Sequence, residues 1–181
     1  MKILVAGIGN VFMGDDAFGC EVAQRLSQKT FPAGVDVVDF GIRGLDLSYT
    51  LMDDVFDVLI LIDTVDRGEA PGTLYLIEPD VEEVSARTSD EPLMTPHGMD
   101  PASVLRFIAS LGQRHPRVWI VGCQPQYLGG EQGHMGLSDA VAQAIEKAVA
   151  EVLALLSDLV AGSPSFLQDK TRSATAPGGL I

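Results

Sequence analysis

The chain has 181 residues and a formal net charge of −13, with 46% of its residues hydrophobic and 20% charged. These values fit one globular domain with a sizeable core and exclude a disordered chain. The acidity argues against nucleic acid or an anionic membrane surface as a general partner, since either requires a cationic face.

Two cysteines, Cys20 and Cys123, are too few for a disulfide framework and read as core or near-core thiols. Met1-Lys2 leads straight into ILVAG, too short an apolar stretch for a secretory leader, and no apolar run approaches a membrane span. A cytoplasmic location is expected.

Residues 2–6 (KILVA) form a continuous apolar run that predicts a strand buried on both faces. Residues 15–29 show helical spacing, with Phe18, Val22 and Leu26 on one stripe. Residues 35–40 (VDVVDF) predict a second strand and 44–52 a short helix. Residues 56–62 (FDVLILI) predict the strongest strand, with Asp63 at its end. Ala70-Pro71-Gly72 marks a turn, and 73–77 (TLYLI) a strand suited to an antiparallel edge. Residues 79–96 read as an acidic loop. Asp100-Pro101 resembles a helix start, with Val104, Phe107, Ile108 and Leu111 as its apolar face. Residues 117–122 (RVWIVG) predict another strand. Ser138 is placed to cap a long last helix carrying Val141, Ile145, Ala148, Val152, Leu155 and Leu159.

Strands alternate with helices, which predicts an α/β fold: a three-layer α/β/α sandwich around a twisted, mostly parallel sheet of roughly five strands with one antiparallel edge strand. Residues 1–161 read as a single domain. Residues 162–181 are polar, rich in Gly, Pro and Ser, and aperiodic, so a disordered tail is expected there.

Ligands of open parallel sheets bind outside the carboxyl ends of the strands. Residues 7–16 read GIGNVFMGDD and follow the first strand. Its glycines, Gly7, Gly9 and Gly14, depart from a dinucleotide fingerprint, in which the third comes sooner. Asp15 and Asp16 would repel a pyrophosphate, although Asp39 at the end of the second strand keeps a nucleotide reading open. The same aspartates suit a cation. Asp16, Asp63 and His97 all fall at or beyond strand ends, and two carboxylates with one imidazole make an open ligand set for a divalent metal. Plainer roles compete. Asp15 or Asp16 is expected to cap the first helix. Asp63 would also serve as a turn residue, and a lone His is more often structural than a ligand. His115, at a strand entrance, lies on the wrong side of the sheet; His134, in GGEQGHMGLS, is the reserve imidazole.

At these residues the sequence is identified as a member of a known family. MKILVAGIGNVFMGDDAFG resembles the N-terminal signature of the nickel-iron hydrogenase maturation endopeptidases. The similarity continues in order through VVDFGIRGLDL, DVLILIDTV, APGTLYLIEP, TPHGMDPASVL and VGCQPQYLGGEQGHMGLSDAV, covering about residues 1–160. Each motif is weak alone, and together they are specific. Small departures are Asp at position 16, where Glu also occurs in the family, and Ala17 in place of a common Gly. The resemblance places no counterpart to the tail beyond residue 161.

The resemblance implies an endopeptidase that removes the C-terminal peptide of the hydrogenase large-subunit precursor after nickel insertion. It implies Asp16, Asp63 and His97 as metal-contacting and catalytic residues. Nickel would arrive on the precursor, with no permanently bound metal, and a monomer is expected. Asp16 with Asp63 could imitate an aspartic-protease pair, although the His suits metal contact better. Asp39 is a second-tier cleft residue, together with His134. Two other readings remain: a non-catalytic binding module or chaperone for the same precursor, and a nucleotide-binding α/β domain. The surface that selects a precursor is expected in the loops near residues 40–50, 80–96 and 125–135.

Overall fold

The computed structural model describes residues 1–81, 83, 101–110, 112, 115–130 and 133–162. Five strands form one sheet: β1 (Ile3–Ile8), β2 (Val35–Gly41), β3 (Val58–Thr64), β4 (Leu74–Ile77) and β5 (Arg117–Cys123), in the order β2-β1-β3-β5-β4. The first four in that order run parallel, and β4 pairs antiparallel with β5 at the edge. Among the described residues four α-helices accompany them: α1 (Phe18–Ser27), α2 (Gly44–Asp53), α3 (Pro101–Ser110) and α4 (Asp139–Ala161).

The central strands read as unbroken apolar runs because both their faces are covered. Ile3 and Val5 of β1 join Ile60 and Ile62 of β3 in a core with Phe18, Val22 and Leu26 of α1 and Val141, Ile145, Val152 and Leu155 of α4. Leu4, Ala6 and Ile8 point to the opposite face, with Leu59 and Leu61, against Leu47 and Leu51 of α2 and Val104, Leu105 and Ile108 of α3. Strand residues alternate between the two cores with period two, while each helix contributes a single stripe. Full burial of one Val, Leu or Ile is worth about 1.5–3 kcal/mol, so these two cores carry the fold. The three-layer arrangement with its antiparallel edge agrees with the sequence pattern.

Two boundaries differ in informative ways. A 3-10 turn over Asp15–Ala17 precedes α1, and neither its N-cap Gly14 nor Ala17, the N-cap of α1, makes a side-chain cap. The expected capping role of Asp15 or Asp16 is therefore not realised, because both carboxylates are engaged elsewhere. Strand β3 runs on to Thr64, so Asp63 lies within the strand, opposite Gly122 of β5. Ser138 caps α4 as expected, its hydroxyl accepting from the Val141 amide. That helix closes at Gly162 in the left-handed conformation, φ 64°.

Gly19 shows how closely α1 lies on the sheet. A Cβ there would overlap the carbonyl oxygens of Ile8 and Ile62. The glycine-rich segment thus brings the 15–17 turn and the start of α1 onto the ends of β1 and β3. No helix among the described residues is long and apolar enough to cross a membrane. His97, and all but the first residue of the tail expected at 162–181, lie outside the described residues.

Candidate active site

The carboxyl ends of β1, β2 and β3 each deliver an aspartate to one rim of the sheet. Asp16 reaches it from the 3-10 turn after β1. Gly9, at φ 135°, allows that turn to lie against the strand end, since a Cβ there would collide with the Asp16 carbonyl. Asn10 closes the loop: its amide donates to Asp16 Oδ2 at 2.9 Å, and its own Oδ1 accepts from the Phe12 amide at 3.0 Å.

Asp63 is buried, at 4% exposure. Its Oδ1 accepts the Thr64 amide at 2.7 Å, while the Thr64 hydroxyl donates to Asp16 Oδ1 at 3.4 Å. Thr64 therefore stands between the two carboxylates and fixes one relative to the other. Asp39 Oδ1 accepts from the Gly41 amide and its Oδ2 from Gln24 Nε2, each at 3.0 Å. Cys20, on α1 beneath the rim, senses all three acids. Its thiol is pushed up to about 12 by burial, then by the charge and hydrogen bonding of Asp39, then by the charges of Asp63 and Asp16. Burial also holds the Asp16 carboxyl above its ordinary value, against the opposing hydrogen bonds from Asn10 and Thr64. A carboxylate poised in this way is a candidate ligand or proton acceptor.

Asp15 turns the other way. It is wholly buried and takes four hydrogen bonds: from the Gln126 and Tyr127 amides at 2.8 and 2.9 Å, and from the Ser138 amide and hydroxyl at 2.7 and 2.9 Å. Burial alone would raise its pKa, but these donors outweigh it and hold the carboxyl below the ordinary range. This hub was not singled out from sequence. The only signal for it was the doubling of the acid at 15–16. On its side lies a cavity of about 290 Å³ lined by Gly14, Asp15, Tyr127, His134, Gly136 and Ser138. The His134 ring meets the Tyr127 ring edge-on with centroids 5.4 Å apart, and its backbone pairs with Met13. The reserve imidazole thus sits with Asp15 in the wall of this cavity. His115 is at the far end of β5, its Nδ1 3.1 Å from the Pro116 carbonyl oxygen, as expected.

Gln124 is a second residue that sequence reasoning missed. Buried just beyond β5, it accepts at Oε1 from the Arg67 and Glu69 amides and the Tyr75 hydroxyl, and donates from Nε2 to Asp66. It anchors the chain that leaves β3 after Asp63. Among the described residues no group of three or more His, Cys, Asp and Glu side chains is arranged to hold a metal ion. Asp16 and Asp63 together supply an incomplete set, suited to a cation that brings other ligands with it.

A family model described as a hydrogenase maturation protease matches residues 20–155. The chain belongs to the hydrogenase maturation proteases. The hydrogenase 2 maturation protease of Escherichia coli is 32% identical over 160 residues, covering 87% of this chain and 92% of that protein. The hydrogenase expression/formation protein HupD of Rhodobacter capsulatus is 34% identical over 153 residues, covering 84% and 70%. Among solved structures, the hydrogenase maturating endopeptidase HybD of E. coli superposes with a TM-score of 0.69 at 28% identity, over 87% of this chain and 93% of that one. A hydrogenase 2 maturation peptidase from a Thaumarchaeota archaeon gives 0.64 at 34% identity, over 87% and 99%. Hydrogenase maturation proteases are peptide-bond hydrolases, and this member presents its paired carboxylates where open α/β sheets bind their ligands.

Proposed function

We propose that this maturation protease removes the C-terminal peptide of a nickel-iron hydrogenase large-subunit precursor, and does so once nickel has been inserted. The observation that carries the reading is the meeting of Asp16 and Asp63 at one rim, joined through Thr64, in a chain of this family. Nickel is cargo of the substrate. Held by the precursor, it docks against Asp16, Asp63 and His97, and the open ligand set lets the enzyme read metal loading before it cuts. Water adds across the scissile bond: its hydroxyl joins the carbonyl carbon, the C–N bond breaks, and the released amine takes a proton. A rim carboxylate is suited to accept the proton of the attacking water. Asp39 borders the same cleft. The enzyme acts as a monomer in the cytoplasm.

Nickel-loaded and nickel-free precursor, incubated with the purified protein and weighed by mass spectrometry, test this. Mass loss from the loaded precursor alone is expected, and equal trimming of both overturns the metal reading. Binding of the loaded precursor without any mass loss would instead indicate a chaperone. Ala in place of Asp16, Asp63 or His97, one at a time, is expected to abolish cleavage, and full activity in any variant removes that residue from the site.

A further inference from the structure

Helix α2 is apolar on two sides. Its inner face, Gly44, Leu47, Ser48 and Leu51, is buried. Its outer face carries Leu45, Tyr49 and Met52 at i, i+4 and i+7, which places them in one stripe. They are 56%, 59% and 62% exposed, and Ile42, in the turn before the helix, is 61% exposed. Single exposed apolar residues are ordinary, whereas three in one stripe with a fourth just before the helix mark an interaction surface. Tyr and Met are also residue types enriched where proteins meet.

The stripe is continuous with the acid rim. Ile42 follows the end of β2, and the Gly41 carbonyl beside it accepts the Gly9 amide at 3.2 Å, joining this loop to the one that holds Asp16. From the same loop Phe12 stands 59% exposed. An apolar track therefore runs from the site outward along α2. Its setting is net acidic: residues 36–57 contain six aspartates (36, 39, 46, 53, 54 and 57), of which Asp46 pairs with Arg43, Asp54 with Lys2 and Asp57 with the N-terminal amine, leaving an excess of negative charge. Two copies of this chain would bring those charges together, so the surface disfavours self-association and suits a partner of opposite charge.

We infer that the outer face of α2 is the docking surface for the body of the hydrogenase precursor, receiving an apolar ridge bordered by Lys and Arg. The inference rests on the proteolytic reading for the identity of the partner. It separates precursor capture, on α2, from cleavage, at Asp16 and Asp63.

The test uses a nickel-loaded large-subunit precursor and three full-length proteins: the parent, the triple variant Leu45→Ser/Tyr49→Ser/Met52→Ser, and Val160→Ser as a control on α4. All three substituted side chains of the triple variant are largely exposed, and an unchanged thermal transition verifies its fold. Precursor binding is read by biolayer interferometry and trimming by mass spectrometry. The triple variant is expected to bind about tenfold or more weakly, with KM raised to match and kcat preserved, while Val160→Ser behaves as the parent. Parent binding is also expected to weaken with added salt. Equal binding by parent and triple variant overturns the inference. So does a parent dimer, seen by light scattering, that the triple variant disrupts, because the occupant is then a second copy. A parent that binds through α2 but never trims keeps the docking surface and sinks the proteolytic reading. A parent that neither binds nor trims sinks both.

Discussion

Asp15 holds together the wall opposite the acid rim, and replacing it should be costly in a calculable way. In Asp15→Asn the side chain keeps its shape but loses its charge and one acceptor. The orientation that loses least keeps the amide oxygen at the Oδ2 position, which accepts the Gln126 and Tyr127 amides and the Ser138 hydroxyl. The new NH2 then faces the Ser138 amide, donor against donor, where 2.7 Å separated them before. Each retained bond drops from a charge-assisted to a neutral one, about 1 kcal/mol apiece, and one buried donor is left unpaired at about 1–3 kcal/mol. The sum is about 4–6 kcal/mol, or a fall in Tm of roughly 10–20 °C at this chain length. Thermal unfolding followed by circular dichroism measures it, and a fall under about 3 °C would refute the account of Asp15 as a hub. The pH dependence has a fixed sign. Because the folded carboxyl is held below its ordinary value, its contribution is complete above the unfolded pKa of about 4 and is lost as pH falls through the folded value. The gap between parent and Asp15→Asn should accordingly narrow under acid.

Asp16→Asn should behave in the opposite way. The folded pKa of Asp16 is raised by burial, so its ionised form costs stability at neutral pH and the cost vanishes below about pH 4. The amide oxygen can keep the Asn10 bond at the Oδ2 position, and the NH2 at the other position can donate to the Thr64 hydroxyl oxygen. Differential scanning calorimetry at pH 7 should therefore show a Tm at or above the parent while cleavage is lost, and a fall of more than about 5 °C would show a structural role instead. Both thiols should resist modification. Cys20 and Cys123 are buried and pushed up to about 12, Cys20 by burial and then Asp39, Cys123 by burial and then Asp15. An aromatic disulfide reagent at pH 8 should label neither in the native protein and both in guanidinium, and rapid native labelling of either would contradict this packing.

The elements legible in the sequence were those whose signal is periodic. The VLILI run of β3 and the long stripe of α4 declare themselves because burial on both faces, or on one stripe, repeats along the chain. Ser138 was legible because a cap is a local device. The acid rim was half legible: Asp16 and Asp63 stand where parallel sheets present their ligands, yet nothing local shows Thr64 bonding to both. What stayed hidden was long-range. Asp15 reads as a helix cap because it precedes α1, and it bonds instead to Ser138, 123 positions away. Gln124 likewise reaches back 58 positions to Asp66. Sequence spacing carries no record of such pairings.

The division between adjacent aspartates has a physical logic. Two neighbouring carboxylates repel, and a turn that aimed both at one cation would pay that repulsion in full whenever the cation was elsewhere. Here the 3-10 turn sends them to opposite sides. Asp15 is saturated by four donors and locked in its charged form. Among the described residues Asp16 accepts the Asn10 amide and a long bond from Thr64 and nothing more, and burial keeps it short of compensation. Saturation makes a carboxylate structural, whereas under-compensation leaves it ready for a visiting charge. GDD thus sets a saturated carboxylate and an under-compensated one in consecutive positions, and exchanging their environments, rather than their identities, would exchange those properties.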